Sequence, residues 1–348
     1  GDPAALPGLR RPIPKWIWLG IVVAALLPLI GGQTGLISNF YFLQLSLMIV
    51  YSIAVLGLNL LTGFNGQISL GHGAFFAVGA YVTAILIDRY EMHYLATLPL
   101  AMIACFIVGY LFGRPALRLE GHYLALATFA LAIAVPQFLK YRHFEPLTHG
   151  VQGINIFKPD PPFGLPLSPD QWLYLVVLAC AVVMFIVARN IVQSRMGRAM
   201  MAIRDQPLAA DTMGINSART KSITFGISAL YVGLAGALHA IIFEFVSPDS
   251  FRFELSIAML VGAVIGGLLD DRVGAKTLSG AVIGGFFVQF IEKYADALTK
   301  WITSTVHLPI HLEPWTIYGI VLIVLMYTMP MGIAGGLASL WRKIRPPG

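Results

Sequence analysis

The sequence predicts an all-α integral membrane protein with about ten transmembrane helices packed in one bundle. Of its 348 residues, 57% are hydrophobic and only 11% are charged, whereas about a quarter of an ordinary soluble domain is charged. The segment from Trp16 to Ile87 runs for 72 residues without Asp, Glu, Lys or Arg. No soluble core accommodates so long an uncharged stretch, so we expect it to face lipid.

Ten apolar segments approach the length of about 20 residues that crosses a bilayer. In chain order they are 16–31, 40–62, 73–88, 95–113, 121–140, 171–188, 223–243, 254–269, 277–292 and 315–330. With the N-terminus in the cytoplasm, 16 of the 23 Lys and Arg residues fall on the cytoplasmic side, which is the typical bias. We therefore expect both termini to be cytoplasmic. The segment 121–140 is the weakest, and its loss would invert every later connection.

Two connections between the spans are long. The segment 141–170 contains six prolines and is predicted to be an external loop. The segment 189–221 is basic and is predicted to be a cytoplasmic loop with helical content. Because the other connections are short, we expect one transmembrane domain that covers residues 1–348.

The stretch 57–73 is uncharged but rich in glycine and in polar side chains. Its polar members include Asn59, Asn65, Gln67, Ser69 and His72. A glycine-broken backbone is tolerated at membrane depth only beside protein or water. We therefore expect a re-entrant or broken-helix element that lines a polar cavity. The alternative is an ordinary cytoplasmic turn between the second and third spans.

A short repeat near the C-terminus concerns helix packing. Gly262-Ala-Val-Ile-Gly266-Gly267 recurs as Gly280-Ala-Val-Ile-Gly284-Gly285. Glycines four residues apart let two helix backbones approach closely in lipid. We expect Gly262, Gly266, Gly280 and Gly284 to pack these helices as a hairpin.

Sequence motifs for covalent chemistry are absent. The chain has no His-Glu-x-x-His or Cys-x-x-Cys pair and no phosphate-binding loop, so it offers no metal site, no catalytic residue and no cofactor of its own. The basic residues cluster between apolar segments, which indicates membrane orientation and not nucleic-acid binding. The acids lie near the predicted helix ends, which disfavours a proton- or sodium-coupled carrier.

Three ordered motifs resemble a known family. They are Gly57-Leu-Asn59 through to Gly79-Ala-Tyr81, Arg118-Leu-Glu-Gly121 through to Thr128, and Ser194-Arg-Met-Gly197 through to Asp205 and Gly214. Together they resemble the branched-chain amino acid permeases of ATP-binding-cassette importers, and the LivM-type subunit in particular. The resemblance covers nearly the whole chain.

The resemblance implies a multi-pass protein of the bacterial inner membrane that forms half of a translocation pathway for branched-chain or related neutral amino acids. It also implies a second, LivH-like permease subunit, two cytoplasmic ATPases that hold ATP and Mg²⁺, and an external solute-binding protein. The polar residues of the stretch 57–73 would border the pathway. A urea, short-amide or sugar importer is the alternative within the family, and a self-sufficient secondary transporter is the alternative from another class.

ATP-binding-cassette importers in general have a coupling motif, Glu-Ala-Ala-x-x-x-Gly. It appears here as Leu208-Ala209-Ala210-Asp-Thr-Met-Gly214, with leucine in place of glutamate. We expect two short helices that meet at Asp205, with Ala209, Ala210 and Met213 forming a surface for an ATPase and with Arg198 and Arg204 steadying it. The alternative is a basic anchor that only fixes orientation.

Overall fold

The computed structural model describes residues 38–116, 122–162, 167–266 and 280–290, with the isolated residues 20, 22–24, 26, 319 and 323. Most of the described chain is helical. The described α-helices of six or more residues are α1 (Asn39–Leu58), α2 (His72–Tyr90), α3 (Tyr94–Ala116), α4 (His122–Leu139), α5 (Pro169–Gln193), α6 (Arg195–Asp205), α7 (Pro207–Thr212), α8 (Ser217–Phe243), α9 (Phe253–Gly266) and α10 (Gly280–Phe290). Shorter helical turns are Glu145–Thr148, Gly150–Gln152 and Pro248–Phe251. A π-helix, Asn59–Phe64, continues α1.

Five of the described helices are long and apolar enough to cross a membrane. They are Asn39–Phe64, His72–Tyr90, Tyr94–Arg114, Pro169–Gln193 and Ser217–Phe243, which confirms the predictions 40–62, 73–88, 95–113, 171–188 and 223–243 as helices. The predictions 121–140, 254–269 and 277–292 correspond to shorter apolar helices. The predictions 16–31 and 315–330 lie outside the described ranges. The described helices have the architecture of a multi-pass membrane protein.

The boundaries of α5 follow from local capping. The Ser168 side chain accepts a hydrogen bond from the Gln171 backbone N–H, and the Gln171 side chain accepts one from the Ser168 N–H. This reciprocal pair satisfies two backbone donors that the first turn of a helix leaves unpaired. At the other end, the Ser194 side chain accepts from the backbone N–H groups of Met196 and Gly197, so it caps α6 as soon as α5 ends.

Helix α8 lies at the centre of the described bundle, against α1, α2 and α3. Glycines allow this close approach: a Cβ atom at Gly79 of α2 would collide with the backbone of Gly233, and one at Gly236 would collide with the backbone of Phe76. Helix α3 instead presents a stripe of exposed apolar side chains, namely Ile103, Ile107 and Leu111. Such a stripe on an outer helix is suited to lipid.

The loop between α4 and α5 is tied to the ends of the helices. Its two-residue strand β1 (Ile154–Asn155) pairs antiparallel with β2 (Phe245–Val246), directly after α8. The Lys158 ammonium lies 2.9 Å from Asp170 and 2.8 Å from Glu244. Burial lowers the pKa of Lys158, but its hydrogen bonds to the two carboxylates outweigh that effect and leave the pKa above its ordinary value. Residues 154–158 of the loop are therefore fixed to the ends of α5 and α8.

Helices α9 and α10 touch through the repeated glycines. A Cβ atom at Gly266 would collide with the Gly280 carbonyl, and one at Gly284 would collide with the Gly262 carbonyl. The two backbones thus meet at both glycine pairs, in the manner typical of glycine-xxx-glycine helix contacts in membranes.

Candidate functional site

The candidate site is a break between α1 and α2. Helix α1 continues into the π-helix Asn59–Phe64, helical geometry ends at Asn65, and α2 begins only at His72. Gly66 turns the chain with φ of 71°, which glycine adopts without the strain that a Cβ atom imposes. The stretch 57–73 therefore contains a helix break. π-Helical turns are rare in proteins overall, and those that occur often lie at functional sites.

Both ends of the stretch 57–73 lie at the level of Ser228 in the bundle. The Ser228 hydroxyl of α8 donates to the Gly57 carbonyl at 2.7 Å, and its oxygen lies 2.7 Å from His72 Nε2. Ser228 is the twelfth of the 27 residues of α8, about 16 Å along the helix from Ser217. The chain therefore leaves this level at Gly57, runs towards the α6 end of the bundle, and returns to it at His72.

The hydrogen bonds around His72 define its tautomer. Because the Ser228 hydrogen is used on the Gly57 carbonyl, Nε2 of His72 must be the donor to Ser228. Nδ1 is then the acceptor from the Ser69 hydroxyl, 2.9 Å away. The Ser69 oxygen also accepts from the Gly71 backbone N–H at 3.3 Å. One continuous network thus joins Ser69, His72 and Ser228 to the end of α1.

Hydrogen bonds to other helices fix residues 70–73, where the chain passes from the break into α2. The Leu70 backbone N–H donates to the Thr128 hydroxyl of α4 at 3.0 Å, and the Gly73 N–H donates to the Ser256 hydroxyl of α9 at 2.9 Å. A Cβ atom at Gly71 would lie 2.6 Å from the Thr128 carbonyl oxygen, so any side chain there would move α4. The break is thus packed on α4, α8 and α9.

The five polar residues that the sequence singles out in this stretch are all buried within the chain: Asn59, Asn65, Gln67, Ser69 and His72. Ser69 and His72 are joined by the network above. The Asn65 amide and Gln67 Oε1 have no hydrogen-bond partner among the described residues. Leaving such a buried group unpaired costs about 1–3 kcal/mol, so an unpaired group of this kind in a native fold needs an explanation.

The coupling residues lie on α6, α7 and the turn that follows. Asp205 ends α6 and Pro207 begins α7, so two short helices meet at this point. Gly214 ends the element with φ of 83°, a left-handed conformation typical of a helix C-terminus. Whether these residues contact an ATPase stays a prediction.

The side chains that α7 and the residue after it expose are not all those expected from the sequence. Ala210 is only 4% exposed and packs inward, so it is not available to a partner, whereas Ala209 is exposed. The large exposed apolar side chains are Leu208 at 82% and Met213 at 83%. The expectation of a surface that includes Ala210 is therefore corrected: the apolar surface consists of Leu208, Ala209 and Met213.

Arg198 and Arg204 of α6 behave differently. Arg198 is exposed, and its guanidinium donates to the nearby Gln193 carbonyl at 3.4 Å. Arg204 instead donates from Nη1 to the Gly63 carbonyl of the π-helix at 2.9 Å. The structure thus brings the coupling element and the helix break into direct contact.

Sequence reasoning missed two parts of this site. It did not identify Ser228 as the partner of His72, although a serine beside Gly226 within an apolar helix is an available signal. It also did not pair Arg204 with Gly63, because the two residues are 141 positions apart. In the described part of the chain, no three His, Cys, Asp or Glu residues group as a metal site would require.

Comparison with known proteins gives consistent results. The family model described as branched-chain amino acid transport system / permease component matches residues 40–330. The chain is 34% identical over 247 residues to the high-affinity branched-chain amino acid transport system permease protein LivM of Escherichia coli strain K12, which covers 64% of this chain and 57% of LivM. The aligned region thus spans little more than half of that relative.

Two further relatives are aligned over most of their lengths. The permease protein BraD of Pseudomonas aeruginosa is 26% identical over 301 residues, covering 82% of this chain and 91% of BraD. The permease protein LivH of Escherichia coli strain K12 is 26% identical over 320 residues, covering 85% of this chain and 96% of LivH. No solved structure matches the chain. Because the family match extends over most of its length, the chain belongs to the family of branched-chain amino acid transport system permease components.

Proposed function

We propose that this chain is the permease subunit of an ATP-binding-cassette importer and forms half of the translocation pathway for branched-chain or related neutral amino acids. The observation that carries the proposal is the buried helix break with Asn65 and Gln67, which leaves the level of Ser228 at Gly57, reaches Arg204 of α6 and returns at His72. Family membership and the permease names of the relatives support the same function. The chain itself has no covalent chemistry to perform, and ATP and Mg²⁺ bind to partner subunits.

The polar groups of the break suit a neutral or zwitterionic solute. Asn65 and Gln67 offer uncharged donors and acceptors, and the described break carries no Asp, Glu, Lys or Arg between Asn59 and His72. Weak polar sites of this kind let a solute enter and also leave, whereas a deep charged site would retain it. Asn59, Ser69 and His72 complete the border of the pathway in this proposal, with Ser69 and His72 maintaining the shape of the break.

The partners follow from the same proposal. A second, LivH-like permease subunit completes the pathway, an external binding protein delivers the solute, and two cytoplasmic ATPases receive α7. Leu208, Ala209 and Met213 form the apolar contact with an ATPase, in the mode of a helix that lies in a groove. The turn at Asp205 and the stop at Gly214 set the length of this element.

The proposed orientation makes a topology prediction. Asp160 and Asp205 lie beyond opposite ends of α5, whose 25 residues span about 37 Å. Reporter proteins fused after Asp160 and after Asp205 should report the external and the cytoplasmic side, respectively. Reporters that indicate the same side would contradict both the transmembrane placement of α5 and the cytoplasmic assignment of α6 and α7.

The solute is tested on the external binding protein that delivers it to this permease. Titration calorimetry of that binding protein should show tight binding of leucine, isoleucine or valine. Urea and ribose should produce no heat of binding at the same concentrations. A preference for urea or a sugar would replace the amino-acid assignment, and transport by the purified chain without any partner would indicate a secondary transporter.

A further inference from the structure

The Arg204 side chain connects α6, which lies on a basic connection, to the uncharged π-helix that follows α1. It originates in the last turn of α6, on the basic connection between the long helices α5 and α8. Its guanidinium reaches the π-helix, where Nη1 donates to the Gly63 carbonyl at 2.9 Å. On its other edge, Nε donates to Asp205 Oδ1 at 2.9 Å. Asp205 therefore orients the same guanidinium that binds the π-helix.

The end of the π-helix requires a donor of this kind. The last carbonyls of a helix have no partner within the helix and need an external donor. A charged donor makes a stronger hydrogen bond than a neutral one. Arg204 supplies such a donor to Gly63, two residues before helical geometry ends at Asn65. It thus acts as a C-terminal cap provided by another helix.

Gly66 makes room for the aliphatic part of the same side chain. A Cβ atom at Gly66 would lie 2.9 Å from Cγ of Arg204. Gly66 also has φ of 71°, so a substitution there would strain the backbone as well as displace the arginine. Arg204 therefore holds the chain on both sides of Asn65, at Gly63 and at Gly66.

The break is linked to this contact by its own hydrogen bonds. The Gln67 backbone N–H donates to the Leu61 carbonyl at 3.2 Å, and the Thr62 hydroxyl donates to the Gln67 carbonyl at 3.0 Å. A displacement of the π-helix must therefore move Gln67. Arg204 itself belongs to α6, and a single residue separates α6 from α7. The exposed Leu208 lies in α7 and the exposed Met213 directly after it.

We propose that Arg204 is a positioning residue that transmits movement of α6 and α7 to the helix break through its hydrogen bond to Gly63 and its packing against Gly66. This inference rests on the proposed transport function, because Arg204 would link the helices that face the ATPase to the helix break. In the resting state Arg204 holds the π-helix in place. When a partner moves α7, the guanidinium pulls the π-helix and shifts Gln67 with it.

The test compares Arg204→Gln with the matched variant Arg195→Gln in the complete transporter complex, because Arg195 is an exposed arginine of the same helix outside the coupling residues. Glutamine keeps the neutral hydrogen-bonding capacity but is too short and uncharged to cap the π-helix from α6. Two quantities are measured: hydrogen–deuterium exchange of residues 61–67, with ATP and vanadate and without nucleotide, and leucine taken up per ATP hydrolysed in proteoliposomes. Asp205→Asn serves as a second variant, because it weakens the hydrogen bond that orients the guanidinium while Arg204 itself stays in place.

We expect Arg204→Gln to raise exchange at residues 61–67 without nucleotide, to abolish the change caused by ATP and vanadate, and to lower uptake per ATP at least fivefold. Asp205→Asn should have a smaller effect in the same direction, and Arg195→Gln should match the wild type. The inference would be overturned if Arg204→Gln left hydrogen exchange at residues 61–67 unchanged. It would also be overturned if exchange rose but uptake per ATP stayed at the wild-type value. If Arg204→Gln does not assemble, the Asp205→Asn result decides by the same criteria.

The same experiment separates the inference from the proposed function. If the wild-type complex takes up no leucine, the substrate assignment fails. The exchange data still decide on Arg204, since a nucleotide-dependent change that is present in the wild type and lost in Arg204→Gln supports the link. A nucleotide-dependent change that persists in Arg204→Gln would refute it whatever the solute is.

Discussion

Replacing Gln67 by leucine is expected to slow leucine uptake about tenfold or more while the complex stays assembled. Gln67 is only 6% exposed, and its Oε1 has no partner among the described residues. Leucine is of similar size and removes a buried polar group, so folding should be preserved or slightly favoured. A passing amino acid would lose a hydrogen bond to its charged group, worth about 1.5–3 kcal/mol, and each 1.4 kcal/mol is about a tenfold change.

The matched control for this prediction is Gln193→Leu. Gln193 is the last residue of α5 and lies outside the break, and the chemical change is identical. Uptake by this variant should equal that of the wild type. If Gln67→Leu also transported at the wild-type rate, Gln67 would not border the pathway, and the unpaired amide would need another explanation.

A single acidic substitution at Met213 or Leu208 is expected to remove the stimulation of ATP hydrolysis by the binding protein and solute. Met213 directly follows α7 and Leu208 lies in its first turn, and their large apolar side chains are 83% and 82% exposed. A carboxylate desolvated in an apolar groove costs several kcal/mol, which suffices to prevent docking. Met213→Glu and Leu208→Glu should therefore leave the permease inserted and paired with its second subunit but abolish the stimulated hydrolysis.

The control is Gln206→Glu, which adds the same charge at an exposed position directly before α7. It should retain most of the stimulation, since Gln206 lies outside the apolar surface. Full stimulation in both Met213→Glu and Leu208→Glu would assign energy coupling to another element. The connection 189–221 would then be a positive anchor that only fixes orientation.

Hydropathy predicted the long helices because a membrane-spanning helix is specified mainly by its apolar length. The five long helices, with the π-helix counted in the first, extend the predicted spans by up to six residues at an end, as for α8, which begins at Ser217 and not at 223. Here the added first turn is polar and is capped by the Asn216 side chain. A hydropathy window does not detect such a turn, because its stability comes from capping and not from apolar burial.

The helix break could also be predicted, because glycines and polar side chains stand together in an uncharged segment. Its internal order could not be predicted. The bonds from Ser228 to Gly57 and from Arg204 to Gly63 join residues that are 171 and 141 positions apart, so only the packing of α6 and α8 brings them together. The burial of Ala210 has the same origin, since a six-residue helix has its inner face set by its neighbours.

The central claim is that this chain forms part of an ATP-driven pathway for neutral amino acids. The most direct measurement is accumulation of radiolabelled leucine in proteoliposomes that contain the complete complex with its ATPases and binding protein. We expect accumulation against a gradient that requires ATP and is lost when this chain is omitted. Equal accumulation without this chain, or no ATP-dependent accumulation of any branched-chain amino acid with it, would show that the chain is not part of such a pathway.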